Sequence, residues 1–489
     1  MKLKVKEINL STGGPLIAVL NEKTAKKISL FPKERIHIKK IRAKDGFTCV
    51  TNISSKGIKE NEIGLFQEAF HKLKIPEGTH IEMTLEEKPR SIQYIKKKLN
   101  NEELNETEID TIIKDIVNNE LSEVELAYFV SGCYTKGLSI NETVNLTNSI
   151  VNNGERLHFK EEIIVDKHCS GGVAGNRTTM IIVPIIASLG YKMPKTSSRA
   201  ITSASGTSDT MEVLAPVTLS KEKIIKVVNK TNGCMVWGGG VDLASADDKM
   251  ITVRHPLNLD PIGMLLASIL AKKKAAGATH VLIDIPYGLG VKVKSKKEAK
   301  QLMKLFYKVS KRLGLKIKVL ITNGSQPIGN GIGPALEAAD VLSVLQGDGP
   351  NDLREKAIFL ATEMLKLVGE KDPLPKVLNA IESGNAYKKM LEIIQAQGGH
   401  KYPIIPKAKY FYNVNATKDG KITFIDNQKI NKIATMAGAP DEKTAGVYLR
   451  VRANREIKKG TTMFTIYSNN ERNIDSIKRR LKEINPITY

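Results

Sequence analysis

Two short runs gather the side chains that could hold and use an oxyanion. The first, DKHCSGGVAGN at residues 166–176, sets Lys167, His168, Cys169 and Ser170 beside Gly171 and Gly172, just ahead of an apolar helix predicted to open at Thr178. The second, SSRAITSASGTSDTMEVL at residues 197–214, places Ser197, Ser198, Arg199, Thr202, Ser203, Gly206 and Thr207 before another helix. Backbone N–H groups at a helix start lack intrahelical partners and carry partial positive charge, which favours an anion. Lys167 and Arg199 add full charges beside those loops. A glycine pair ahead of a helix is on its own a tight turn. Hydroxyls in this number exceed what two turns use, and the expected ligand is phosphate.

The elements that must position these loops follow from the hydrophobic pattern. Residues 163–165 read as a buried strand, 166–176 as a polar loop and 178–189 as an apolar helix. Further strands are predicted at 195–198, 234–237, 280–285 and 316–321, separated by helical stretches such as 221–232. Such alternation implies a mainly parallel sheet covered on both faces, with ligands beyond the carboxyl ends of its strands. On either side the pattern changes. Residues 1–87 are strand-rich, with one helix expected at about 62–73, and carry no acid–base or metal constellation. After Lys88, Pro89 and Arg90, residues 91–153 read as a small helical bundle. There Ile109, Ile112, Ile113, Ile116 and Val117 share one helical face, while Ser122 with Glu125 and Ser139 with Glu142 make capping-box signatures. The central α/β part spans 154–398, and strands return in 400–489 with a final basic helix near 474–484. The expected fold class is therefore α/β, with a strand-rich N-terminal domain, a helical bundle, the central domain and a C-terminal domain.

A chain of 489 residues is too long for one core and suggests three or so domains. Hydrophobic content of 41% and charged content of 26% are ordinary for a globular protein. No apolar run reaches the length of about 18 residues that a membrane span needs, and Met1 opens a lysine-alternating strand, so a cytoplasmic protein without a membrane partner is expected. The net charge of +23 is scattered over every segment, with no nucleic-acid motif and few aromatics to stack bases. It reads as a solvated surface that draws anionic substrates inward, not as a nucleic-acid interface. Cys49, Cys133, Cys169 and Cys234 stand singly, without C-x-x-C spacing, and are expected to be reduced thiols with no metal site.

The run DKHCSGGVAGN resembles the phosphate loop of the thymidine and pyrimidine nucleoside phosphorylases, and SSRAITSASGTSDTMEVL resembles their S-x-R…GT-x-D-x-x-E signature. In the form SSRAIT with GTSDTMEVL, the second run is most similar to the archaeal AMP phosphorylase subgroup, and residues 1 to about 89 resemble the extra N-terminal domain of that subgroup. The resemblance makes residues 400–489 a C-terminal α/β domain. It implies phosphate contacts from Lys167, Ser170, Gly171, Thr179 and Ser197, with Thr178 and Thr207 as further donors. It implies substrate contacts from Gly172, Ser198, Arg199, Ala200, Ile201, Thr202, Ser203, Thr207, Ser268 and Lys292, of which Arg199, Ser203 and Lys292 are the candidates for a 5′-phosphate.

Asp260 corresponds to the proton donor proposed for that subgroup, a role in which burial must raise its carboxyl. Read from the residues alone, it is an Asp-Pro turn. Ser268 and Lys272 lie one helical turn apart and match groups that grip the base in the pyrimidine enzymes. Two departures stand out. Cys169 occupies the place of a phosphate-binding serine, and SADDKM at 245–250 replaces a base-binding arginine, which argues against thymidine. Residues 322–338 read as a structural glycine-rich turn. The implied activity is phosphorolysis of AMP, and of CMP and UMP, to the free base and ribose 1,5-bisphosphate. It needs no cofactor, because inorganic phosphate is a substrate. A homo-oligomer, dimeric or larger, is expected. The alternatives are a thymidine or pyrimidine nucleoside phosphorylase, and a basic nucleic-acid-binding protein without phosphorolytic activity.

Overall fold

Alternation in KLKVKEI turns Leu3 and Val5 inward and the lysines outward, and six such strands close on themselves. In this computed structural model, which describes residues 1–489 apart from Gly14, Gly171, Ala174, Asn176, Ile201, Thr202 and Asn258, they are β1 (Lys2–Ile8), β2 (Ile17–Asn21), β3 (Arg35–Lys40), β4 (Gly46–Ser54), β5 (Glu62–Phe66) and β6 (His80–Leu85). Their order around the barrel is β1-β5-β2-β4-β3-β6. Closure leaves no open edge, and Leu20, Ile36, Ile38, Ile63, Leu65 and Ile81 fill the interior with no exposed surface. The helix expected at about 62–73 begins only at Gln67 and ends at Leu73. EIGLF fits a period of two as well as one of 3.6, and its place between β1 and β2 makes it a strand.

In the same unit the barrel is followed by the bundle helices Ser91–Leu99, Glu106–Val117, Glu123–Lys136 and Ile140–Asn152, the last two opening on the capping boxes foreseen at Ser122 and Ser139. The chain returns to it at Ser245–Ala267, so this unit comprises Met1–Asn153 with Ser245–Ala267, and the second comprises Gly154–Ala244 with Ser268–Tyr489. Lys249 explains part of the return. Its Nζ donates to the carbonyls of Ile116 at 2.9 Å and Val117 at 2.8 Å, closing the end of Glu106–Val117. Gly263 packs so tightly that a Cβ there would lie 2.6 Å from Leu138. The sequence places this segment in the central part because its pattern carries no mark of which helices it meets.

The second unit is built on β7 (Val165–Cys169), β8 (Met193–Ser197), β9 (Gly233–Trp237), β10 (His280–Tyr287) and β11 (Lys316–Asn323), all pairing in parallel. The ladders run β11-β10-β7 and β8-β9, joined by the bridge between Ile164 and Lys192. From β7 the chain moves outward to β8 and β9, then returns to the other flank of β7 for β10 and β11. The switch between β7 and β10 is where such sheets bind ligands. Helix Thr178–Ser188 is apolar all round and buried through Ala187, as a helix enclosed by other helices must be.

Beyond the sheet, Tyr410–Asn415, Gly446–Leu449 and Thr462–Ser468 form an antiparallel sheet with Gly331–Ile332 at one edge. Helices Asn427–Ala437 and Glu471–Ile484 cover it, the first of them absent from the sequence reading. Gly331 lets the glycine-rich block turn: a Cβ there would sit 2.4 Å from the Leu336 carbonyl. Among the described residues no helix is long and apolar enough to cross a membrane.

Candidate active site

Strand β7 runs further than its sequence suggests. Asp166 and Lys167, expected in a loop, pair with Val281 and Leu282 of β10 and have no exposed surface. The apolar faces on either side of a parallel sheet enclose them regardless of their polarity. Lys167 Nζ donates to Thr178 Oγ1 at 2.8 Å and Thr179 Oγ1 at 3.3 Å, at the opening of the buried helix. Among the described residues it makes no ion pair, and burial holds its pKa below the ordinary lysine value against the opposing pull of Cys169 and Asp284. Ser170 differs from expectation in one respect. Its backbone N–H continues the ladder to Asp284 O at 2.9 Å, so its hydroxyl is the donor left to face a ligand. Cys169 Sγ lies 3.6 Å from Asp284 Oδ2, and a Cβ on Gly175 would come within 2.5 Å of that sulfur, so only glycine fits. Gly172, half-buried, turns with a φ of 83°. Gly171 lies outside the described residues.

Behind this loop sits a buried charge cluster. Asp166 Oδ1 accepts from the Lys167 N–H at 2.6 Å and from Lys195 Nζ at 3.3 Å, and Oδ2 accepts from Lys273 Nζ at 2.7 Å. Burial lowers the Lys195 pKa. Burial and the charges of Lys273, Lys195, Lys167 and Lys272 push His168 well below its usual range, so its imidazole stays neutral and offers no charge to an anion.

In the second run, Asp209 ties the turn together, its Oδ2 accepting from the N–H groups of Ala200 at 2.7 Å and Gly206 at 2.9 Å. A Cβ on Gly206 would lie 2.9 Å from Ser198 O, so the turn closes only over glycine. Ser197 Oγ is 2.7 Å from Ser208 Oγ. Ser203 Oγ donates to Ser205 O at 3.2 Å, and the next residue, Ala204, gives its N–H to Asn431 Oδ1 at 2.6 Å. Ser198 is exposed, and Thr207 is half-buried as the first residue of Thr207–Glu212. Ile201 and Thr202 lie outside the described residues. Arg199, expected to await a substrate phosphate, is already engaged. Both its terminal nitrogens meet Glu212, at 2.7 and 2.5 Å, and its guanidinium lies 5.1 Å from the Trp237 ring. That hydrogen bonding, with Lys443 at 2.7 Å, holds the Glu212 carboxyl down to about 2.

Ser268 and Lys272, on helix Ile262–Ala275, are half-buried, and Lys272 is close enough for its charge to act on His168. Lys292 is exposed in the turn after β10, which Gly288 N–H closes on Val293 O at 3.0 Å. Asp260 belongs to the first unit and is exposed, without the burial that a neutral-pH donor requires. Asp247, in the SADDKM departure, is buried and pairs with Arg254 at 3.5 Å, a contact internal to the first unit.

Several organising residues escaped the sequence reading. Asp209 and Glu212 lie inside the S-x-R…GT-x-D-x-x-E signature, yet their types alone do not tell that they hold the turn and Arg199. Asp284, wholly buried, accepts from Thr322 Oγ1 at 2.6 Å and pairs with Lys356 at 3.2 Å. Arg177 and Glu337 form a buried pair at 3.1 Å across 160 positions of sequence, which no local pattern reports.

The arrangement in the second unit suits an oxyanion, and comparison gives the class of the protein around it. Residues 161–387 match the α/β domain of the glycosyl transferase family, residues 92–154 its helical bundle domain, and residues 421–488 the pyrimidine nucleoside phosphorylase C-terminal domain. Anthranilate phosphoribosyltransferase (TrpD) from Thermus thermophilus shares the fold, with a TM-score of 0.53 at 17% identity over 62% of this chain and 98% of that one. Among whole-length relatives, the AMP phosphorylase of Thermofilum pendens is 40% identical over 100% of this chain and 95% of its own, and that of Pyrococcus furiosus 41% identical over 99% and 97%. A Legionella pneumophila (strain Paris) protein provisionally named a thymidine phosphorylase is 44% identical over 85% of this chain and 81% of its own. The chain belongs to the thymidine and pyrimidine nucleoside phosphorylase family, which includes the archaeal AMP phosphorylases, and is an enzyme of the pentosyltransferase class.

Proposed function

We propose that the protein phosphorolyses nucleoside 5′-monophosphates, converting AMP and inorganic phosphate to adenine and ribose 1,5-bisphosphate, with CMP and UMP as further substrates. The observation that carries this reading is Lys167, a fully buried cation whose bonds among the described residues go only to neutral oxygens. Burying such a charge is unfavourable by several kcal/mol unless an opposite charge compensates, and a bound phosphate supplies that compensation. In the reaction, a phosphate oxygen forms a bond to ribose C1′ as the bond from C1′ to the base nitrogen breaks, through a sugar of oxocarbenium character. The bonding pair leaves with the base, which takes up a proton.

Lys167, Ser170, Gly171, Thr179 and Ser197 hold the attacking phosphate in this scheme. Gly172, the residues 198–203, Thr207 and Lys292 hold the sugar and its 5′-phosphate, while Ser268 and Lys272 face the base. Asp260 donates the proton, which requires that the substrate complex shield it from water. No cofactor takes part, and the enzyme works as a cytoplasmic homo-oligomer. Whole-length similarity to proteins named AMP phosphorylase supports a nucleotide substrate. The Legionella relative supports a second reading, a thymidine or pyrimidine nucleoside phosphorylase that accepts no 5′-phosphate. Phosphate-dependent base release from AMP, adenosine and thymidine, measured side by side, separates the two. AMP is expected to be cleaved fastest, and a preference for thymidine overturns the proposal.

A further inference from the structure

We propose that Thr210, through the buried pair of Arg177 and Glu337, sets the separation of the two oxyanion loops and is a positioning residue for phosphate. The inference rests on the phosphorolysis reading above. Arg177, the residue before helix Thr178–Ser188, is 1% exposed. Its Nη1 donates to Val173 O at 3.2 Å and Ile328 O at 2.6 Å, and its Nη2 meets Glu337 Oε1 at 3.1 Å. Glu337, also 1% exposed, takes a second hydrogen bond on Oε1 from Gly333 N–H at 3.2 Å. Its Oε2 accepts from Thr210 Oγ1 at 3.0 Å. A hydroxyl has one proton to give. Gly206 O, 3.1 Å away, also lies within reach of that proton, but the buried carboxylate is the stronger acceptor; with the proton on Glu337, Thr210 accepts from Ser205 Oγ, 2.7 Å away.

A continuous buried chain therefore runs from Val173, in the first run, through Arg177, Glu337 and Thr210 to Ser205, in the second. Each link is a hydrogen bond among groups removed from water, where an unmade bond is expensive and the geometry correspondingly stiff. Lys167 with Thr178 and Thr179 stands at one end of this chain, and Ser197 with Thr207 at the other. Phosphate held by both ends needs them at one fixed distance. Positional errors of about 1 Å are enough to weaken such a site strongly. Thr210 itself touches no ligand in the scheme, so its effect has to pass through position.

The test is steady-state base release from AMP with phosphate varied, in the full-length enzyme. Thr210→Val keeps the shape and removes the link, whereas Thr210→Ser keeps the hydroxyl. T210V is expected to raise the KM for phosphate about tenfold while kcat stays within about twofold. T210S should restore the unaltered KM. Ser205→Ala, the loss of one oxygen at the far end of the chain, should shift the phosphate KM in the same direction by less, and it decides the matter if T210V fails to fold. An unchanged phosphate KM in either variant, a T210S enzyme that behaves like T210V, or a parallel fall of kcat without a KM change overturns the inference. If the unaltered enzyme releases no base from AMP in the presence of phosphate, the functional reading itself has failed and the inference falls with it, a result visible before any variant is made.

Discussion

Replacing Lys167 by methionine should separate activity from stability. In the folded protein this ammonium is fully buried, and its hydrogen bonds go to Thr178, Thr179 and the Gly175 carbonyl. Two unit charges about 4 Å apart interact by about 4 kcal/mol at an effective dielectric constant near 20. Allowing for solvent that enters the emptied site, Lys167→Met is expected to lower kcat/KM for phosphate about 10²- to 10³-fold. Stability should move the other way or not at all. The variant loses three hydrogen bonds, of about 1 kcal/mol or less each, and is relieved of a desolvation penalty of several kcal/mol.

The pH dependence has a definite sign. Because burial lowers the folded-state pKa of Lys167, the unfolded chain binds more protons between that lowered value and the ordinary one. The penalty is therefore complete below the folded pKa and is relieved as pH rises towards the unfolded value. Phosphate capture needs the cation, so it weakens as pH rises through the folded pKa. The assay is the phosphate KM from about pH 6 to about 10, with thermal unfolding at the same points, for both enzymes. An unchanged phosphate KM in the variant refutes the reasoning. So does a stability loss above about 3 kcal/mol, since breaking an internal charge pair is what produces losses of that size.

Glu212→Gln should weaken the fold by about 1 kcal/mol at neutral pH, after discount for its partial exposure. Since the Glu212 carboxyl is held down to about 2, its contribution is present above the ordinary carboxylate range and lost as pH falls towards that value. Thermal unfolding of the two proteins should therefore converge in acid, and a constant gap would argue against the Arg199 pair as its source. Cys169→Ser exchanges a poor donor for a good one and is expected to lower the phosphate KM about two- to threefold. A rise would mean that the thiol's contact with Asp284 matters more than any contact with phosphate. Asp260→Asn should reduce kcat on AMP by about 10²- to 10⁴-fold with the phosphate KM little changed. A change confined to KM would remove Asp260 from the role of proton donor.

The amino-acid sequence by itself determined the local features. The glycine-bearing run at 166–176, the hydroxyl-rich run at 197–214, the caps at Ser122 and Ser139, and the alternation of strands with helices in the central part were all legible, because each rests on neighbours within one or two turns of chain. It misread residues 62–66 as helical, since EIGLF satisfies both periods and only barrel closure chooses between them. It left Lys167 in a loop, because the burial of a charged residue depends on the strands and helices that later cover it. Tertiary structure alone decided that Arg199 is held by Glu212 and that Ser245–Ala267 packs with the first unit. It alone brought Arg177 to Glu337 and Glu337 to Thr210. The physical reason is the same in each case: these side chains are far apart along the chain, and removal from water, which no sequence window records, makes their charges and hydroxyls seek one another.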